Sequence, residues 1–101
     1  MDDERARRLL AQHRDRLRRE LASMRLQHDD EHLADDELEE GLAEHFREEL
    51  EAIARAEERL SRGTYGLSLE SGEPIPDARL ELVPWAERTV EEEARLARLP
   101  R

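Results

Sequence analysis

DELEEGLAEHFREELEAIARAEERLSR, residues 36–62, decides the fold. Its apolar residues Leu38, Leu42, Phe46, Leu50, Ile53, Ala56 and Leu60 are spaced by four, four, four, three, three and four. That period marks one face of an α-helix, and most of the remaining positions are charged. Asp36 is the expected N-cap with Glu39 three residues on, and acids in a first helical turn suit the macrodipole. Gly41 near the start costs about 1 kcal/mol relative to Ala. Arg62-Gly63 supplies the stop, with Gly63 free to take a left-handed cap.

Upstream, a second apolar stripe runs through Ala6, Leu10, Leu17, Leu21 and Met24, and His13 fills its gap. Arg7, Arg14, Arg18 and Arg25 form a separate stripe at helical spacing. Between the two stripes, residues 28–40 hold eight acids and no basic residue. Two helices of roughly 25 residues, each about 38 Å long, are therefore expected to be joined by a short acidic turn. Each is too polar to stand alone, so the economical arrangement is an antiparallel hairpin with the stripes facing. The arginine stripe is expected to pair with glutamates across the hairpin and at i,i+4, at about 0.3–0.5 kcal/mol per pair.

Composition agrees. The chain has 101 residues, 44% of them charged and 37% apolar, with Phe46, Tyr65 and Trp85 as its three aromatics. Such a chain cannot fill a wide core but can satisfy long helices that bury one stripe. Every basic residue is arginine. Residues 1–27 carry net +3, residues 28–62 net −10 and residues 63–101 net −3. The overall charge of −10 disfavours direct DNA binding and an anionic membrane surface, and favours a basic protein surface or a cation-bearing site. No apolar run approaches the roughly 18 residues of a membrane span. The acidic start Met-Asp-Asp-Glu-Arg lacks the basic and apolar regions of a signal peptide. The expectation is a soluble cytoplasmic protein. The absence of cysteine excludes disulfides, thiolate chemistry and cysteine-ligated zinc.

Residues 63–84 change character. They hold three of the four glycines together with Pro74, Pro76 and Pro84, and read as a compact knot of turns with up to two short strands. Pro84 is expected to open a further helix through Ala86, Val90, Ala94 and Ala97, with acids early and arginines late, ended by Pro100.

Residues 63–94, GTYGLSLESGEPIPDARLELVPWAERTVEEEA, closely resemble the C-terminal zinc finger of the DksA/TraR family. That family typically shows G-x-Y-G-x-C-x-x-C-G-x-x-I-x-x-x-R-L-x-x-x-P-x-A-x-x-C-x-x-C. Gly63, Tyr65, Gly66, Gly72, Ile75, Arg79, Leu80, Pro84 and Ala86 match without a gap. The four family cysteines fall on Ser68, Ser71, Thr89 and Glu92, which are not expected to bind zinc, because structural zinc wants thiolate or imidazole. A structural zinc supplies about 10–16 kcal/mol of folding-coupled binding energy. Packing of Leu67, Leu69, Ile75, Leu80, Leu82, Val83, Trp85 and Val90 is expected to replace it, with Ser68, Ser71 and Thr89 serving turns and helix ends.

The resemblance implies a mainly α protein. Residues 1–62 would form a long antiparallel helical hairpin (a coiled coil) with its acidic tip near 28–37. Residues 63–101 would form a zinc-free, degenerate finger and a C-terminal helix. It further implies a monomeric, non-enzymatic transcription regulator of the stringent-response type. Such a regulator inserts its hairpin into the secondary channel of RNA polymerase and modulates promoter complexes. The nucleotide ppGpp often acts with the family at the polymerase interface. The residue after the fourth cysteine, often basic in the family, is Glu93 here, which disfavours that anion. The family's tip motif, D-x-x-D-x-A, is not present as such, and Asp29, Asp30, Asp35 and Asp36 are the tip candidates.

The alternative is a helical-hairpin interaction adaptor that has lost polymerase-modulating activity. A homo-oligomeric bundle is the weaker third reading. His28 and His32 have metal-compatible spacing on a helix but no secured third ligand. His13 and His45 are expected beside the hairpin seam, and Trp85 as a core anchor. Nothing places two carboxylates in one pocket or pairs a nucleophile with a base, so catalysis is not expected.

Overall fold

The computed structural model describes residues 1–28 and 36–99, with the side chains of residues 26–28 and 36–39 left aside. Two long helices dominate: α1, Asp3–His28, and α2, Asp36–Arg62. Asp2 caps α1, its side-chain Oδ1 accepting the Arg5 N–H at 2.8 Å, and Asp3 and Glu4 add acid to the first turn. The end of α2 is a Schellman turn: Thr64 N–H donates to the Arg59 carbonyl and Gly63 N–H to the Leu60 carbonyl. Gly63 has φ +77°, a conformation that side chains rarely adopt.

The helices pack along one another as the hairpin expected from their stripes. Ala6, Leu10 and Leu17 of α1 are buried against Ile53, Ala56 and Leu60 of α2, with Phe46 and Leu50 partly buried alongside. The small residues Ala6 and Ala56 sit in this seam, where they let the helices approach. One stripe position departs from expectation. Leu42 is exposed and Ala43 is buried instead. The C-terminal region covers a second side of the hairpin seam through Tyr65 and Trp85, the latter reaching His13. Towards Leu42 each helix has one neighbour, and a residue at the edge of the stripe stays in water.

After Gly63 the chain forms turns held by an isolated antiparallel bridge, Leu67 to Pro74. No strand forms among the described residues. Gly66, at φ +85°, likewise takes a backbone conformation that side chains rarely adopt. A short helix that the sequence reading omitted follows: α3, Asp77–Leu82. The last helix, α4, is Val90–Ala97. It does not open at Pro84 as expected. Thr89 caps it instead, in a capping box with Glu92 that satisfies two backbone donors at once.

The expected core of this region is also partly corrected. Ile75, Leu80, Ala86 and Pro84 are buried, with Val83 packed against them. Leu67, Leu69, Leu82 and Val90 are exposed. A six-residue helix buries one stripe only, and Leu82 lies about 200° around α3 from Leu80.

Candidate functional site

The tip candidates Asp29, Asp30 and Asp35 lie outside the described residues, as does His32. For Asp36 the structure gives the start of α2 and no side-chain position, so the capping roles assigned to Asp36 and Glu39 are not described, and neither is the side chain of His28. The described hairpin carries its charge asymmetrically. Exposed acids line α2 at Glu40, Glu44, Glu48, Glu51 and Glu58, whereas α1 exposes Arg7, Arg18, Arg19 and Arg25.

Pairing between the two helices is sparser than expected. Among the described residues, Arg14 to Glu57 at 2.7 Å is the one ion pair joining α1 to α2. Arg8–Glu4 and Arg62–Glu58 are i,i+4 pairs within one helix. Such exposed pairs contribute little.

The stronger polar contacts fix the C-terminal region onto the hairpin root. Arg5 of α1 grips Glu81 of α3 through two hydrogen bonds, 2.7 and 2.6 Å. Arg55 and Arg59 of α2 converge on Glu87. Their guanidinium groups hold the Glu87 carboxyl below its ordinary range, with the Arg55 hydrogen bond the largest cause. The Tyr65 hydroxyl donates to the Pro84 carbonyl at 2.8 Å, and burial pushes its pKa up to about 12. His13 meets Trp85 edge to face, ring centroids 5.0 Å apart. His13 is thus at the seam, half-buried, as expected. His45 is not: its side chain is mostly exposed and reaches Glu49 along α2 at 2.9 Å.

The four positions that carry cysteine in the family are brought together. Ser68 and Glu92 are buried, and the Ser68 hydroxyl donates to Glu92 Oε1 at 2.7 Å. The same Ser68 Oγ accepts the N–H groups of Glu70 and Ser71, at 3.0 and 3.1 Å. Glu92 Oε1 also accepts the Thr89 N–H at 2.8 Å, and Thr89 Oγ1 accepts the Glu92 N–H at 3.2 Å. Ser71 Oγ accepts from the Glu73 N–H. The Thr89 N–H first, and then the Ser68 hydroxyl, hold the Glu92 carboxyl down at about 2.

This set does not fit zinc. Three members are neutral hydroxyls and the fourth is one carboxylate, where structural zinc takes thiolate or imidazole, and Glu92 Oε1 already accepts two hydrogen bonds. Among the described residues no group of three or more His, Asp or Glu side chains is placed to hold a metal ion.

Two important residues escaped the sequence reading. The sequence reading gives Glu92 as a lost ligand position and an early helix acid, and passes over Thr-x-x-Glu at 89–92 as a capping-box signature. Glu87 carried no local signal at all, because its partners lie 28 and 32 residues away.

No protein-family model matches the chain. Among curated proteins, General stress protein 16O of Bacillus subtilis is 48% identical over 48 residues, a segment spanning 48% of this chain and 29% of that protein. Among solved structures, the transcription factor DksA2 from Pseudomonas aeruginosa superposes with a TM-score of 0.76. The match is 31% identical and covers 94% of this chain and 82% of DksA2. The RNA polymerase binding protein and transcriptional regulator Dks from Chlamydia trachomatis is 25% identical, covering 96% of this chain and 92% of that one, with a TM-score of 0.47. A helical hairpin, the family's finger positions matched without a gap from Gly63 to Ala86, and a 31% identical match to DksA2 over almost the whole of this chain place it in the DksA/TraR family.

Proposed function

We propose that this protein is a transcription regulator that binds RNA polymerase and works without zinc. Its hairpin enters the secondary channel and carries the acidic segment towards the catalytic centre, where it modulates promoter complexes. The observation that carries this reading is the similarity to the transcription factor DksA2 over almost the whole chain. Charge supports it. Residues 28–62 carry net −10, which suits a path lined by basic groups and ending near divalent cations, and opposes direct contact with DNA.

In this reading residues 1–62 are the probe and residues 63–101 the base that aims it. Asp29, Asp30, Asp35 and Asp36 form the tip. The protein acts as a monomer in the cytoplasm and catalyses nothing itself. Glu93 at the position where the family often has a basic residue argues for weak dependence on ppGpp. No helix among the described residues is long and apolar enough to cross a membrane.

The test is binding of the purified protein to core RNA polymerase, followed by promoter-complex lifetime in a purified transcription assay. Micromolar binding with a changed lifetime supports the proposal. Binding without any change in lifetime supports the adaptor reading, which the missing D-x-x-D-x-A motif favours. Absence of binding removes the polymerase reading and leaves the adaptor, with another protein as its partner.

A further inference from the structure

Among the described residues, Ser68 and Glu92 are the two polar residues that are buried, 4% and 7% exposed. They lie 24 positions apart in sequence and are hydrogen-bonded to each other at 2.7 Å. A buried carboxylate is tolerated only when its oxygens are met by donors. We propose that Glu92 is the anionic hub of a hydrogen-bond knot that closes the finger in place of a metal, with the Ser68 hydroxyl and the Thr89 N–H as its donors.

The knot reverses the polarity of a zinc site. A metal finger gathers anionic ligands around a cation, whereas here neutral donors gather around one anion. Each donor is itself positioned. Ser68 Oγ is fixed by the Glu70 and Ser71 amides that donate to it, so its proton is free to point at Glu92. Thr89 is fixed by the capping box. The two halves of the finger, the turn at 68–72 and the start of α4, are thereby joined at one carboxylate.

The capping box alone does not account for this. A capping box is local to residues 89–92 and has no use for a hydroxyl from the turn at Ser68. A second link runs in parallel: the Leu69 N–H donates to the Glu87 carbonyl at 2.8 Å. The turn closed by the knot therefore also holds the segment whose Glu87 side chain grips α2. In this way the knot sets how the finger sits on the hairpin.

The inference deepens the zinc-free reading proposed above, but its test needs no polymerase, so the two can fail separately. Full-length wild type, S68A, E92A, E92Q and S68A/E92A are melted with chelator and with added zinc, and amide exchange is followed at Glu70, Ser71 and Thr89. Wild type is expected to contain no stoichiometric metal and to melt at the same temperature in every condition. E92A should lower Tm by at least about 5 °C. E92Q, which keeps an acceptor oxygen, should lower it less. The double variant should lose clearly less than the sum of its single variants, because each removes the same bond. Exchange at the three amides should rise at least about tenfold in S68A and E92A. Additive losses would reduce Glu92 to a helix cap and overturn the knot. Chelator-sensitive melting of wild type would overturn it as well. Should E92A fail to fold, S68A and E92Q carry the same comparison, and wild-type melting for both would refute the proposal.

Discussion

Glu87 is held by Arg55 through a two-pronged contact, Nε at 2.9 Å and Nη2 at 3.2 Å. Arg59 approaches the same carboxylate at 3.3 Å from one turn further along α2. Arg59 is nearly buried, and its Nε and Nη2 have no other partner. Removing the carboxylate therefore leaves a buried cation uncompensated, and that cost exceeds the worth of an exposed pair. Glu87→Ala is expected to destabilise by about 1–3 kcal/mol in thermal or urea unfolding. Arg62→Ala breaks only the exposed i,i+4 pair with Glu58 and should cost under about 0.5 kcal/mol. Equal losses in the two variants would contradict the clamp.

The seam of the hairpin separates residues that a stripe count treats alike. Leu10 and Leu17 are fully buried, whereas Leu82 in the finger is 79% exposed. Leu10→Ala and Leu17→Ala should each cost about 2–5 kcal/mol through lost transfer energy and the cavity left behind. Leu82→Ala should change stability by less than about 0.5 kcal/mol. Urea midpoints of the three variants at a common m-value test this ranking directly.

The hairpin was legible in the sequence because its forces are local and periodic. A stripe at 3.6-residue spacing and a glycine stop both act within a few residues of where they are read. Leu42 was misjudged because burial also depends on how many neighbours an element has, and the finger covers only the root. The finger was harder. Short helices and turns have no period to read, so α3 was missed and half of the proposed core proved exposed. The start of α4 shows two local signals in competition, Pro84 against the Thr89 capping box, and the one that satisfies more backbone donors prevails. The Ser68–Glu92 and Arg55–Glu87 contacts join residues 24 and 32 positions apart. No pattern marks the Arg55–Glu87 spacing, whereas Ser68 and Glu92 are two of the four finger positions that the family pattern pairs.

His13 offers a pH-dependent report on the junction between hairpin and finger. Burial first, and then the neighbouring Arg16, lower its pKa below 6.5. Arg16 Nη2 sits 3.0 Å from His13 Nδ1, a contact that favours the neutral ring as acceptor. Glu49 acts in the opposite direction more weakly. Because the folded protein holds the neutral ring more firmly than the unfolded chain does, this contribution is complete above the unfolded value of 6.5. It is lost as pH falls from there through the folded-state value. Trp85 is the only tryptophan and lies 5.0 Å from the ring, so an imidazolium there should quench its emission. A fluorescence step is expected below pH 6.5 in wild type and should vanish in His13→Gln. A step that survives in His13→Gln would assign the titration to another group.

The acidic segment should separate function from stability. Residues 28–40 hold eight acids within 13 positions, a density of like charge that self-repulsion opposes. If these carboxylates serve the polymerase, neutralising one should leave the fold intact or slightly strengthened. Asp30→Asn and Asp35→Asn are therefore expected to keep the wild-type Tm within a few degrees and to keep most of the affinity for core polymerase. Their effect on promoter-complex lifetime should be lost. Native gel shifts with core enzyme, run beside the lifetime assay on the same preparations, distinguish the outcomes. Affinity lost together with activity would make these residues docking contacts. Full activity in both variants would move the working tip to Asp29 or Asp36, whose Asn variants then carry the same test.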